Sequence, residues 1–166
     1  MNSVVEFAGY AVMIGTGATL LTDAWALARK RLTGTASLDY GLVGRWLAYV
    51  VRGRFRHDPI SASAPVRHER AIGWTAHYLI GIAFASVLLA IFGLDWARHP
   101  AIGPALLVGI GSVAAPFLIM QPGMRFGIAA SRMPNPAAAR VRSLVTHGVF
   151  GVGLYLTGCV ASLLES

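Results

Sequence analysis

The sequence predicts an all-α integral membrane protein: four transmembrane helices, a cytoplasmic interfacial amphipathic helix, and both termini outside. Three observations lead there. Four apolar runs, about 4–28, 71–93, 101–121 and 143–164, are each long enough to cross a bilayer. Of 166 residues, 55% are hydrophobic and only 13% charged, about half the charge of an ordinary soluble domain. The positive charge is also one-sided. Arg29, Lys30, Arg31, Arg45, Arg52, Arg54, Arg56, Arg67 and Arg70 lie between or beside the first two runs, and Arg125, Arg132, Arg140 and Arg142 between the last two. Only Arg98 falls on the opposite side, so the positive-inside rule puts both long connections in the cytoplasm. The net charge of +7 is accounted for by topology, and no nucleic-acid partner is expected. The chain 1–166 is read as a single four-helix transmembrane domain.

The first run, about 4–28, opens without a basic stretch and is longer than a signal-peptide core, so it is expected to stay as a span. It carries Gly9, Gly15, Gly17 and Ala18, small residues that let helices approach closely in lipid. Thr16, Thr19 and Asp23 follow i, i+3, i+7 spacing and form one polar stripe. A carboxylate at that depth costs about 2.5–3.5 kcal/mol on insertion scales, so Asp23 must face protein or water.

The connection that follows holds the interfacial segment, about 38–52. Leu42, Trp46, Leu47, Val50 and Val51 alternate there with Arg45, Tyr49 and Arg52, and Trp46 and Tyr49 are expected at headgroup level. Gly53 to Pro59 breaks it. The second run starts behind His68-Glu69-Arg70 and places Gly73, His77 and Gly81 at i+4 steps. A short outer turn, Leu94 to Pro100, leads to the third run, where Pro104 and Pro116 predict kinks. Asn135 or Pro136 is a natural helix start ahead of the fourth run, which carries Ser143, His147 and Gly151 at i+4 steps. Arg70-x6-His77-x3-Gly81 echoes Arg140-x6-His147-x3-Gly151, a hint of internal duplication.

Depth brings the polar residues into one layer. Asp23 is six residues from Arg29, His77 seven from Arg70 and His147 five from Arg142, which puts all three about 8–10 Å inside the cytoplasmic rim. Gln121 lies at a similar level. The expected intramembrane site is therefore Asp23, His77, His147 and Gln121 with Thr16 and Thr19. Asp23, His77 and His147 could hold iron or zinc as a two-histidine, one-carboxylate set. The same residues could relay protons or bind a small polar solute or ion, and the two histidines could face each other across a haem. They could also be interhelical hydrogen-bonding glue, in which case the chain is a structural or partner-binding subunit. His57, Asp58 and Glu69 are loop candidates that join the site if the interfacial segment folds inward. Cys159 is the only cysteine, so neither an intrachain disulfide nor a cysteine metal cluster is expected. No His-Glu-x-x-His, phosphate-cradling glycine loop or nucleophile elbow is present.

Several motifs carry a resemblance. Gly15-Thr16-Gly17-Ala18-Thr19 with Asp23 and Trp25, Gly44-Arg45-Trp46, Arg52-Gly53-Arg54-Phe55, Gly73-Trp74, His77-Tyr78, Gln121-Pro122, Asn135-Pro136 and Ser143 with His147 form a set. Together they resemble a bacterial family of small four-span inner-membrane proteins known only as a domain of unknown function. The resemblance implies a bacterial inner-membrane location and supplies no activity. From the residues themselves, the expected function is to bind or move a small polar solute, ion or proton. The alternatives are a metal-dependent membrane enzyme acting on an amphiphilic substrate, and a structural subunit. Glycine-rich faces on so small a bundle also lead us to expect a homo-oligomer.

Overall fold

The computed structural model describes residues 3–35 and 38–164. Five helices carry the chain: α1 (Ser3–Thr33), α2 (Tyr40–Val51), α3 (Glu69–Arg98), α4 (Ile102–Gly123) and α5 (Pro136–Leu164). No strand occurs among the described residues. α1, α3, α4 and α5 are long and apolar enough to cross a membrane, which makes this an all-α, multi-pass protein. Each span contains its expected apolar run. α5 is longer than its run because Asn135 caps it: the Asn135 side chain accepts the Ala138 N–H at 3.1 Å, and Pro136 takes the first helical position. Inside α3, Gly93 adopts φ 78°, a break at the point where the apolar run ends.

Pro116 acts as its chemistry demands. It has no N–H for the Ser112 carbonyl, and its ring crowds that carbonyl. The regular helix ends at Gly111, and Pro116–Met120 continue as a π-helical turn in which the Gln121 N–H reaches back five residues to the Pro116 carbonyl.

The chain forms two compact units. The first comprises α1, Tyr78 to Ser112 of α3 and α4, and α5 from Val145. Its core is Tyr10, Ile14 and Ala18 of α1, Leu88, Leu89 and Trp96 of α3, and Phe150 and Leu154 of α5. Helices touch where side chains are missing. A Cβ on Gly15 would lie 2.5 Å from Ile82 Cα, and one on Gly153 would lie 2.9 Å from Ala18 Cα. Gly109 and Gly151 meet backbone to backbone. The two glycines of the sequence echo are thus both contact points, Gly81 against Thr19 and Gly151 against Ala105 and Leu106.

The second unit comprises Leu38 to His77 and Val113 to Leu144. α2 opens with Asp39 as its cap, accepting the Gly41 N–H at 2.8 Å. Gly44 of α2 and Gly73 of α3 let the two backbones touch, so that a Cβ on either would overlap a carbonyl of the other helix. Trp46 was expected at headgroup level; instead it is 6% exposed and packs with Ile60 and Met124. Its indole N–H donates to the Phe55 carbonyl at 2.9 Å, and its ring lies against Gly123. An amphipathic helix buries its apolar face against protein as readily as against lipid, and here Gly123 leaves the space for it.

Candidate functional site

α1 brings Asp23 to the first unit half-buried, and there Tyr78 of α3 donates to its carboxylate at 3.0 Å. One and a half turns on, Arg29 Nε is buried with no hydrogen-bond partner among the described residues, and so is Trp25 Nε1. Buried polar groups are nearly always paired, so three polar side chains within seven residues of one apolar helix mark a special place. Thr16 is half-buried nearby in the chain. Thr19 is fully buried and turns its hydroxyl to the Gly15 carbonyl at 2.7 Å, as Thr22 does to the Ala18 carbonyl at 2.9 Å. Those hydroxyls are satisfied by their own helix.

His147 of α5 lies in the same unit, held by Ser112 of α4. Ser112 Oγ is 2.6 Å from both the Gly109 carbonyl and His147 Nδ1. The carbonyl can only accept, so it takes the one hydroxyl proton, and His147 donates through Nδ1–H to the same oxygen.

The remaining candidates belong to the second unit. His77 shares a 3.0 Å hydrogen bond between Nε2 and the Tyr40 hydroxyl, and its ring stacks at 4.4 Å on Tyr40 and edge-on to Trp74 at 5.8 Å. Gln121 is buried, and its side-chain carbonyl oxygen has no partner among the described residues. His57 is 5% exposed, bonded by Nε2–H to the Arg54 carbonyl at 3.2 Å and by Nδ1 to Ser63 Oγ at 2.9 Å. Asp58 pairs with Arg125. Glu69 receives Arg45 in a fork, Nε and Nη2 each at 2.8 Å, and also the Val66 N–H at 2.9 Å. That carboxylate raises the pKa of the Arg45 guanidinium above its ordinary value.

Each ionisable residue expected in the layer is thus held by a hydroxyl from another helix: Asp23 by Tyr78, His77 by Tyr40 and His147 by Ser112. Among the described residues, no three His, Cys, Asp or Glu side chains gather as metal ligands. Sequence reasoning missed all three hydroxyl partners, together with Trp25, Arg29 and Arg45. A usable signal existed for Tyr78, which follows His77 directly and shares its depth. Hydroxyl–imidazole and hydroxyl–carboxylate pairs can pass a proton or accept a polar ligand in place of one partner.

Four apolar helices with ionisable side chains inside their spans define the class: a four-span helical membrane protein with a polar interior. The chain belongs to the family described as Protein of unknown function (DUF2938), whose model matches residues 12–161. The resemblance expected from the motifs holds over nearly the whole chain. No curated protein and no solved structure matches it.

Proposed function

We propose that this protein binds or carries a small polar solute, ion or proton in the bacterial inner membrane. Its intramembrane groups are Asp23 with Tyr78 and His147 with Ser112. The observation that carries this reading is the polarity of α1. Asp23 offers an acceptor, while Trp25 Nε1–H within the span and Arg29 Nε–H at its rim are buried donors with no partner among the described residues. A purely structural carboxylate would need its tyrosine and nothing more. Trp25 and Arg29, four positions apart on one face of α1, leave two donors that suit a ligand carrying acceptors of its own. The positive-inside bias supports a cytoplasmic placing of the arginine-rich connections and outside termini. Gly9, Gly103, Gly111 and Gly148, where an added Cβ would meet nothing, support a second copy packing on the bundle.

Thermal unfolding of the detergent-purified chain against a panel of small polar solutes and ions, across pH, tests the reading. A class of solute, or a change of pH, should stabilise the wild type and lose its effect in Asp23→Asn and Trp25→Phe. Equal shifts in wild type and Asp23→Asn would sink it. If Asp23 and His147 serve one ligand, Asp23→Asn with His147→Ala should cost clearly less than the sum of the single losses.

A further inference from the structure

In a chain of four spans, the connection after α1 and the connection after α4 lie on the same side of the membrane. Segments of both meet in the second unit around a cavity of about 570 Å³. Its wall carries Arg54 and Arg56 from the first connection and Arg125 and Arg132 from the second, with His57 and one carboxylate, Asp58. Four arginines line the hollow against a single carboxylate, which is already engaged with Arg125, and the Arg54 guanidinium also lies 5.7 Å from the Tyr49 ring centre. Crowding like charges around one hollow is unfavourable unless an anion sits among them.

The wall is built rather than loose. The His57 N–H donates to the Gly123 carbonyl at 3.0 Å, and the His57 ring pins the Arg54 carbonyl, tying one connection to the end of α4. On the other side, the Phe126 N–H donates to the Gln121 carbonyl at 2.8 Å and the Arg132 N–H to the Phe126 carbonyl at 2.9 Å. These bonds hold the backbone under Arg54, Arg125 and Arg132. The four arginines themselves are exposed.

We propose that this cavity binds a phosphate group, carried by an anionic lipid headgroup or by a free phosphate monoester. Guanidinium forks match phosphate oxygens two at a time, and several converging on one hollow are the usual way a protein takes a phosphate out of water. A hollow of this volume accommodates a phosphate with a glycerol-sized substituent. Asp58 is the regulator of the site: it holds Arg125 in place and opposes an incoming anion. The cavity uses none of Asp23, Tyr78, His147 or Ser112, so it stands or falls independently of the intramembrane site.

The test uses the full chain in maltoside micelles. Phosphatidylglycerol and phosphatidylcholine are titrated under native mass spectrometry, and inorganic phosphate and glycerol phosphate are titrated calorimetrically. Saturable binding is expected in one arm, weakened about tenfold by Arg54→Ala or Arg132→Ala, the loss of one charge-assisted hydrogen bond or more. Asp58→Asn should tighten binding severalfold, and Lys30→Ala, an exposed cation of α1, should leave it unchanged. Preference for phosphatidylglycerol with no response to the soluble phosphates assigns a lipid headgroup; a response to either soluble phosphate assigns a monoester. The proposal is overturned if neither arm saturates, if Lys30→Ala weakens binding as much as Arg132→Ala, or if Asp58→Asn fails to tighten it.

Discussion

In the first unit, helices meet where side chains are missing; in the second, short elements are laced together by arginine, tryptophan and backbone carbonyls. Gly15 against Ile82 and Gly109 against Gly151 are contacts of bare backbone. Arg45 on Glu69, Trp46 on the Phe55 carbonyl and Tyr49 on the Ala64 carbonyl are contacts of long polar side chains. The difference follows from solvent. Lipid offers no hydrophobic reward for bringing apolar helices together, so close fit and dispersion must do it. Loops rich in polar backbone must instead find a partner for every buried N–H and C=O. A backbone-to-backbone glycine contact, Gly44 with Gly73, also occurs in the second unit, because there too a helix crosses a helix.

Substituting these contacts in turn ranks the two kinds of adhesion. The largest loss is expected for Gly44→Val, whose Cβ would overlap the Glu69 carbonyl and Gly73 backbone, and for Gly15→Val, which would drive into Ile82. Neither obstacle is a side-chain tip that can swing away, so each should cost about 3 kcal/mol or more, read from unfolding in mild detergent. A smaller effect would mean that the helices can part without penalty. Next comes Arg45→Met, which leaves Glu69 paired only with Val66. Side-chain exposures of 11% and 20% put this ion pair between surface and core, and about 2 kcal/mol is expected. Trp46→Phe removes both the indole hydrogen bond to the Phe55 carbonyl and the indole edge that lies against Gly123, about 1–2 kcal/mol by the same unfolding assay. Gly9→Ala sits on α1 like Gly15, yet its Cβ would meet nothing, so a change within about 0.5 kcal/mol is expected. A large loss there, dependent on protein concentration, would reveal a contact between copies.

The spans were legible because hydropathy and length are one-dimensional properties. So were the Asn135 cap and the Pro116 kink, since both act through their own backbone. Depth could also be counted, at a fixed rise per residue. What counting could not supply was azimuth. Asp23 finds Tyr78 55 positions away, His77 finds Tyr40 37 away and His147 finds Ser112 35 away, each across a helix pair. Those pairings depend on crossing angles set by glycines about one turn away on the packed helices: Gly81 near Tyr78, Gly73 near His77, and Gly109 and Gly151 near Ser112 and His147. Trp46 misled for a related reason: hydropathy marks a face as apolar without saying whether lipid or protein will cover it. The arginine cavity was hidden behind the topology argument, because the same residues counted for the positive-inside rule also line a hollow. A charge count gives their side of the membrane and not their convergence.

The π turn at Pro116–Met120 holds one residue more than the α turn it replaces. Everything after it is therefore rotated by about 100° relative to an uninterrupted helix. Gln121 and Gly123 are buried, and Gly123 receives the Trp46 indole, from that rotated position. The third span therefore has one residue more in this turn than an uninterrupted α-helix would hold. A lineage that lost the extra residue would swing Gly123 away from Trp46 and would have to replace the indole as well. Single-residue gaps among relatives therefore belong at 116–120, inside a span, and should travel with the residue at position 46.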